Sequence, residues 1–227
     1  MIEKDNTIVV FDIRNFSAHR YQLGQVSGGG TLLTNLVISI LNDAIEILNL
    51  KDEEFVHTHP KPHFLNHTGD GFVLIVRGKR SPLVALLWIS EFRVRANSKI
   101  KDYQRNMKLK FPEIEKKLPK LDFGIGAHFG TVVDIKFHNF TGQNVGVLGS
   151  SINVASRVEQ TTKEHPYRVI VTKFLLDRVI EIIPKKHLAK FNGFWTDLDK
   201  HCLRGFDKPR RLYAFKPGFH KAWMCKD

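Results

Sequence analysis

The run Ile8-Val9-Val10-Phe11 ends on a carboxylate, Asp12. Apolar strand formers in so short a segment predict a first, buried strand over residues 7–13. A carboxylate at the end of such a strand is costly unless something compensates its charge. A second carboxylate, Asp70, sits in Asn66-His67-Thr68-Gly69-Asp70-Gly71-Phe72, a glycine-flanked turn inside a β-hairpin spanning 62–77. An aspartate at a hairpin tip is exposed and free to coordinate. Brought together, the two would make a hard-oxygen site for magnesium or manganese, ions that take few carboxylates and leave positions for phosphate. Taken alone, they read equally well as a strand-end and a turn aspartate with no connection.

The rest of the chain alternates helices with strands. Residues 22–30 (QLGQVSGGG) read as a flexible connection whose three glycines hold no regular structure. Leu32, Leu33, Leu36, Val37, Ile40, Leu41, Ala44, Ile45 and Leu48 recur at three- and four-residue steps, which predicts a long amphipathic helix. Ser81-Pro82 pairs a capping residue with a proline at the first helical position, and helix is expected through about Ala96. Residues 97–120 are expected as a helix end plus a basic surface loop, 121–129 as a strand, and 130–137 as another. A helix over 150–161, a short strand over 169–172, a helix over 173–183 and a terminal pair of strands within 191–215 complete the order. Hairpins next to helices predict an α+β fold, a mostly antiparallel sheet with packed helices, in a single domain over residues 1–227.

Hydrophobic residues make up 42% of the 227, enough for a full core. Charged residues are expected to interrupt each apolar stretch before membrane-spanning length, and no early apolar segment resembles a secretion signal, which predicts a cytoplasmic protein without a membrane partner. Cys202 and Cys225 are too few for a disulfide framework and lack metal-ligand spacing. The net charge of +12 fits attraction of nucleotides as well as of nucleic acid. No nucleic-acid module accompanies the charge, so nucleic acid is not an expected partner. His57, His59, His63 and His67 match no common zinc pattern and are read as strand and loop residues.

Ser151-Ile152-Asn153-Val154-Ala155-Ser156-Arg157 sets an amide and a guanidinium four residues apart, on one helix face. Together they can donate to phosphate oxygens and to charge developing in a transition state. With these residues in view, the chain resembles the class III nucleotidyl cyclases, the adenylyl and guanylyl cyclase catalytic domain. VVFDIRNFSAH (9–19) resembles that family's first strand and phosphate loop, and HTGDGFVLIV (67–76) its metal hairpin. LDFGIGAHFGTVV (121–133) is similar to its central strand, LGSSINVASRVEQTTKE (148–164) to its transition-state helix, and LRGFDKPRRLYAF (203–215) to its closing motif.

The resemblance implies the ferredoxin-like palm architecture, with Asp12, Asp70 and the Ile13 carbonyl binding two divalent ions, Mg²⁺ or Mn²⁺. It further implies that amides around Asn15, Phe16 and Ser17 hold the β and γ phosphates. Asn153 would orient the ribose, Arg157 would neutralise the α-phosphate, and Arg204 would stand where the family has a triphosphate-binding lysine. The family builds its site between two antiparallel domains; one set of each group per chain implies a homodimer with two equivalent sites.

Two departures bear on the base. Adenylyl cyclases place a lysine three residues before the hairpin glycine and an aspartate seven residues before the helix asparagine; these positions are Asn66 and Gly146. Guanylyl cyclases use Glu and Cys there, and neither is present. The purine-reading side chains are therefore missing, and Asn66 offers both a donor and an acceptor to a smaller base. The chain looks most like the pyrimidine cyclases of bacterial anti-phage signalling, which make cyclic CMP or cyclic UMP to switch on a separate effector. Alternatives are an adenylate or guanylate cyclase with atypical base recognition, and a catalytically silent nucleotide-binding regulatory dimer. A diguanylate cyclase or polymerase-palm relative fits less well, because TGDGF does not meet the GG[DE][DE]F pattern.

Overall fold

A computed structural model describes residues 3–55, 64–139 and 142–224. Its strands are β1 (Glu3–Arg14), β2 (Phe64–His67), β3 (Gly71–Val76), β4 (Asp122–Asn139), β5 (Gly142–Leu148), β6 (Val169–Thr172), β7 (Trp195–His201) and β8 (Arg210–Phe215). The helices are α1 (Phe16–Leu23), α2 (Gly29–Phe55), α3 (Ser81–Lys110), α4 (Pro112–Glu115), α5 (Ser150–Thr161), α6 (Lys173–Ile182), α7 (Lys185–Asn192) and α8 (Phe219–Met224). The strands join in the order β2-β3-β1-β4-β6-β8-β7, with β5 on the far half of β4. The pairings are antiparallel except β4 with β6. The expected α+β class and mostly antiparallel sheet are what the structure has.

Alternation along β1 divides the molecule into layers. Val9, Phe11 and Ile13 face α2 and α3 and join the main core with Phe72, Leu74, Trp88 and Phe92. Ile8 and Val10 face the other way, packing with Ile75, Val132, Ala155 and Ile152 beneath α5. Phe11 stacks on Phe72 at 5.1 Å and meets Phe92 edge-on at 5.1 Å. Such pairs add about 0.5–1.5 kcal/mol each beyond their buried area.

Helix α5 lies close against β4, and glycine permits it. A Cβ on Gly126 would stand 2.2 Å from the Glu159 amide nitrogen and 2.5 Å from the Ala155 carbonyl oxygen, both backbone atoms that cannot step aside.

Several sequence expectations require correction. Gly29 and Gly30 open α2 instead of remaining irregular, because the apolar face that begins at Leu32 packs on α3 and carries the first turn with it. Ser81 does not cap α3; the flanking Arg80 occupies that place, and the Ser81 hydroxyl is buried and accepts from Thr7 Oγ1 at 3.1 Å. Helix α3 runs on to Lys110 rather than ending near Ala96, since Ile100, Tyr103 and Met107 continue its buried side. Residues 122–139 form one continuous strand, because β1 pairs with its first half and β5, unforeseen, with its second. The short helices α1, α4, α7 and α8 were likewise not expected. Charge also fails to interrupt every apolar stretch: Gly29–Asn49 is long and apolar enough to cross a membrane by length and composition. Its Leu33, Leu36, Ile40, Ala44 and Ile47 are buried in the main core, while Ile38 and Ile45 on its other side are exposed.

Replacing Gly126 by alanine should lower stability by about 1–3 kcal/mol, because backbone must move to admit the methyl. Gly30→Ala, with open space around its Cβ position, should be neutral or slightly stabilising. Denaturant midpoints for the two variants check the contrast; equal midpoints would contradict the packing.

Candidate active site

The site begins with strand register. Asp12 pairs with Gly71 and Phe11 with Phe72, so the acidic residue near the end of β1 lies beside the hairpin tip that holds Asp70. The Ile13 amide donates to the Asp70 carbonyl at 3.1 Å, closing the strand onto the turn. Only glycine fits at position 71, where a Cβ would sit 2.1 Å from the Phe11 carbonyl oxygen. Asp12, Ile13 and Asp70 are thus brought together as expected.

Their charges interact. Burial and then the charge of Asp70 raise the pKa of Asp12 above its ordinary value, while Lys163 pulls it the other way. Lys163 Nζ stands 3.7 Å from Asp12 Oδ2. Two half-exposed carboxylates that repel one another, offset in part by the Lys163 ammonium and the more distant Arg14, are a donor set suited to a hard divalent cation.

The chain then turns sharply. Asn15 adopts a left-handed conformation (φ 64°), which asparagine tolerates better than most residues, and donates through its side chain to the Lys120 carbonyl at 2.9 Å. Helix α1 starts at Phe16, leaving the amides of its first turn without helical partners, as an anion site requires. His19 fixes this helix. Its buried ring lies 2.9 Å from the Tyr103 hydroxyl and donates through Nε2 to the Pro119 carbonyl at 2.7 Å.

Sequence reasoning missed Glu159 and Lys163. Glu159 is 3% exposed, and its Oε1 has no hydrogen-bond partner. Burial, then the charge of Asp12, raise its pKa to about 7. The signal was present in Gly124 and Gly126: strand glycines mark close approach by another element, and a Cβ on Gly124 would stand 2.3 Å from Glu159 Oε1. Nothing in the sequence names the approaching residue.

The remaining expected residues lie elsewhere on the chain. Arg157 and Glu159 are two helical positions apart, about 200° around α5, so they face opposite ways. Asn153 is exposed, and Arg157 donates to Gln160 Oε1 at 2.6 Å. Gly146 pairs with Ile135 of β4, whereas Asp12 pairs with Gly124. Eleven residues of strand separate those partners, roughly 35 Å along β4. Asn66 is exposed on β2 opposite Val73. Arg204 is exposed in the β7–β8 connection, and β8 is the third strand from β1, roughly 14 Å across the sheet. Within one chain Gly146 is therefore far from Asp12 along β4, and Arg157 projects from the side of α5 opposite Glu159.

Of the four histidines read as structural, His67 is on β2 and exposed; His57, His59 and His63 lie outside the described residues, as does Cys225. Among the described residues no group of three or more His, Cys, Asp or Glu is arranged to hold a metal.

Neither the protein-family models nor the curated proteins contain a match to this sequence. Solved structures do match. The adenylyl cyclase CyaB from P. aeruginosa superposes with a TM-score of 0.63 over 96% of this chain and 97% of its own, at 16% identity. The fold is that of a class III nucleotidyl cyclase domain. A bacterial light-regulated adenylyl cyclase matches at TM-score 0.66 and 17% identity, over 94% of this chain but 52% of that longer one. The guanylate cyclase domain of RhGC from Catenaria anguillulae, solved in complex with GTP, matches at 0.54 and 16% identity, over 95% of this chain and 100% of its own. Adenylyl and guanylyl enzymes share the cyclase fold, so the fold does not choose the base.

Glu159 makes stability depend on pH. In the folded, metal-free chain its carboxyl keeps its proton up to about pH 7, against an ordinary value of 4.5. The native state then binds the extra proton, and stability falls as pH rises through that window. Glu159→Gln removes the ionisable group. Its stability relative to wild type should rise between about pH 4.5 and about pH 7, by up to about 3 kcal/mol. Denaturant titrations in EDTA check this, and parallel pH profiles would contradict it.

Proposed function

We propose that the chain is a nucleotidyl cyclase that converts CTP or UTP to the 3′,5′-cyclic nucleotide and pyrophosphate, working as a cytoplasmic homodimer. The observation that carries the reading is the convergence of Asp12, Ile13 and Asp70 beside the α1 turn on a cyclase fold. The two carboxylates fit a pair of Mg²⁺ or Mn²⁺ ions, which when bound supply Lewis-acid polarisation of the phosphates and a more acidic 3′-hydroxyl.

The chain's own groups do the rest. Amides at Asn15, Phe16 and Ser17 receive the β and γ phosphates at the start of α1. Asn153 of the partner subunit orients the ribose, and Arg157 of the partner subunit meets the charge that grows on the α-phosphate. Arg204 adds a further cation for the triphosphate. The ribose 3′-hydroxyl gives its proton to solvent water as its oxygen attacks the α-phosphorus in line, the bond to the α–β bridging oxygen breaks, and pyrophosphate leaves. The distance of Asp12 from Gly146 along β4, and the turn of Arg157 away from Glu159 around α5, support a site completed by a second copy.

Base choice rests on Asn66 and Gly146. A site that lacks hydrogen-bonding partners for a purine loses large factors in rate with it. The cyclic pyrimidine product would act as a second messenger in anti-phage defence, read by a separate effector. A second reading, an adenylate or guanylate cyclase, is favoured by the cyclases that share the fold.

Incubation with each of the four ribonucleoside triphosphates and Mn²⁺, followed by mass identification of product, tests the proposal. CTP or UTP should exceed ATP and GTP by about tenfold or more in kcat/KM, equivalent to about 1.4 kcal/mol in the transition state. ATP turned over as fast as either pyrimidine would support the second reading instead. Asp12→Ala and Asp70→Ala should each abolish turnover while keeping the native circular dichroism spectrum; full activity in either would overturn the metal assignment.

A further inference from the structure

A cavity of about 410 Å³ opens at the end of the sheet where β1 stops and β4 and β6 begin. Its volume is at the small end of the range for ligand pockets. Arg14 enters from β1, Arg93 from α3, Arg168 from the segment before β6, and Lys216 from the end of β8. Asp122 is the only acidic residue in its wall, so four cations face one carboxylate, a formal surplus of three positive charges.

That carboxylate is already shared. Arg168 Nε contacts Asp122 Oδ1 at 2.6 Å, and Arg14 Nη1 lies 3.6 Å from Oδ2. Arg93 has only a neutral partner, the Phe215 carbonyl at 2.8 Å, and Lys216 reaches the Gly193 carbonyl at 3.3 Å. Three atoms of the wall, Arg14 Nε, His165 Nε2 and the acceptor Asp122 Oδ1, are buried without a hydrogen bond, although Asp122 Oδ1 keeps its ion-pair contact with Arg168. Unmatched buried donors and unneutralised guanidiniums are costly unless something occupies the space between them. Burial first, and then the nearby charge of Arg168, push the Arg93 pKa down to about 10.

We propose that this cavity is a binding site for a small phosphate-bearing anion, either polyphosphate or phosphate monoester, distinct from the aspartate site. Guanidinium forks match phosphate oxygens in geometry and charge. Pro166, Tyr167 and Pro217 supply an apolar part of the wall that an organic phosphate can cover. The site also adjoins the catalytic elements: Arg14 Nη2 donates to the Thr162 carbonyl and hydroxyl at 2.6 Å, and the next residue, Lys163, contacts Asp12. The proposal stands whether or not the chain is a cyclase.

Calorimetric titration of the full chain in EDTA, with inorganic pyrophosphate and separately with CMP, tests it. One saturable site per chain is expected, weakened about tenfold by Arg93→Gln and roughly threefold by the exposed Lys216→Ala. Asp70→Ala should bind as wild type does. The tighter probe identifies the source of the phosphate, inorganic or ester. Lys216→Ala keeps the test decisive if Arg93→Gln does not fold. Absence of saturable binding by both probes, binding indifferent to the variants, or binding lost in Asp70→Ala would overturn the proposal.

Discussion

The antiparallel pairing of β1 with β3 governs where the two aspartates of the site can be. Phe11 and Phe72 stack from adjacent strands inside the main core, and Phe92 closes on Phe11 from α3. Strand side chains alternate, so a slip of one residue would push Phe11 toward α5 and drive Asp12 into the aromatic core. Burying a carboxylate among phenyl rings costs several kcal/mol, while each lost aromatic contact costs about one. The same packing that stabilises the sheet therefore sets Asp12 beside Asp70. Glycine at 71 is the local condition for that pairing, because no side chain fits against the Phe11 carbonyl.

Crowding of charge follows from this register. Asp12, Asp70 and the buried Glu159 gather where β1 ends, with Lys163 and Arg14 in partial compensation. Such a cluster is destabilising in itself, and a bound divalent cation, as in the proposed function, would offset the repulsion. Lys163 then stands as a tethered cation against the carboxylate that a divalent ion would engage. The long strand β4 has the opposite effect: it separates the aspartates from Gly146 and lets α5 carry Asn153 and Arg157 on a face turned away from Glu159.

Much of this was legible in the residues. The buried strand ending on Asp12, the Gly69-Asp70-Gly71 hairpin and helix α5 were readable because each rests on local chemistry: an apolar run, turn glycines, a helical repeat. What was not readable depended on distant partners. Gly29 and Gly30 are helical because α2 docks on α3, a tertiary gain that local propensity does not contain. Continuity of β4 comes from β1 and β5 each holding one half, although glycines at 124, 126 and 130 suggest breaks. Ser81 looked like a cap, yet its hydroxyl accepts from Thr7 seventy-four residues away. Glu159 and Lys163 escaped notice because nothing in VEQTTK tells which polar residue is buried against a strand glycine.

Under the proposed function each chain supplies the aspartates of one site and the Asn153/Arg157 face of another, so that a complete site needs two copies. Mixing two inactive proteins, Asp70→Ala and Arg157→Ala, tests this most directly. A heterodimer holds one site with both lesions and one with neither, so each should recover up to about half of native activity. Cyclase activity that appears only on mixing, rising with the fraction of heterodimer, is the expected result. No recovery, with subunit exchange demonstrated by differently labelled chains, would contradict the account.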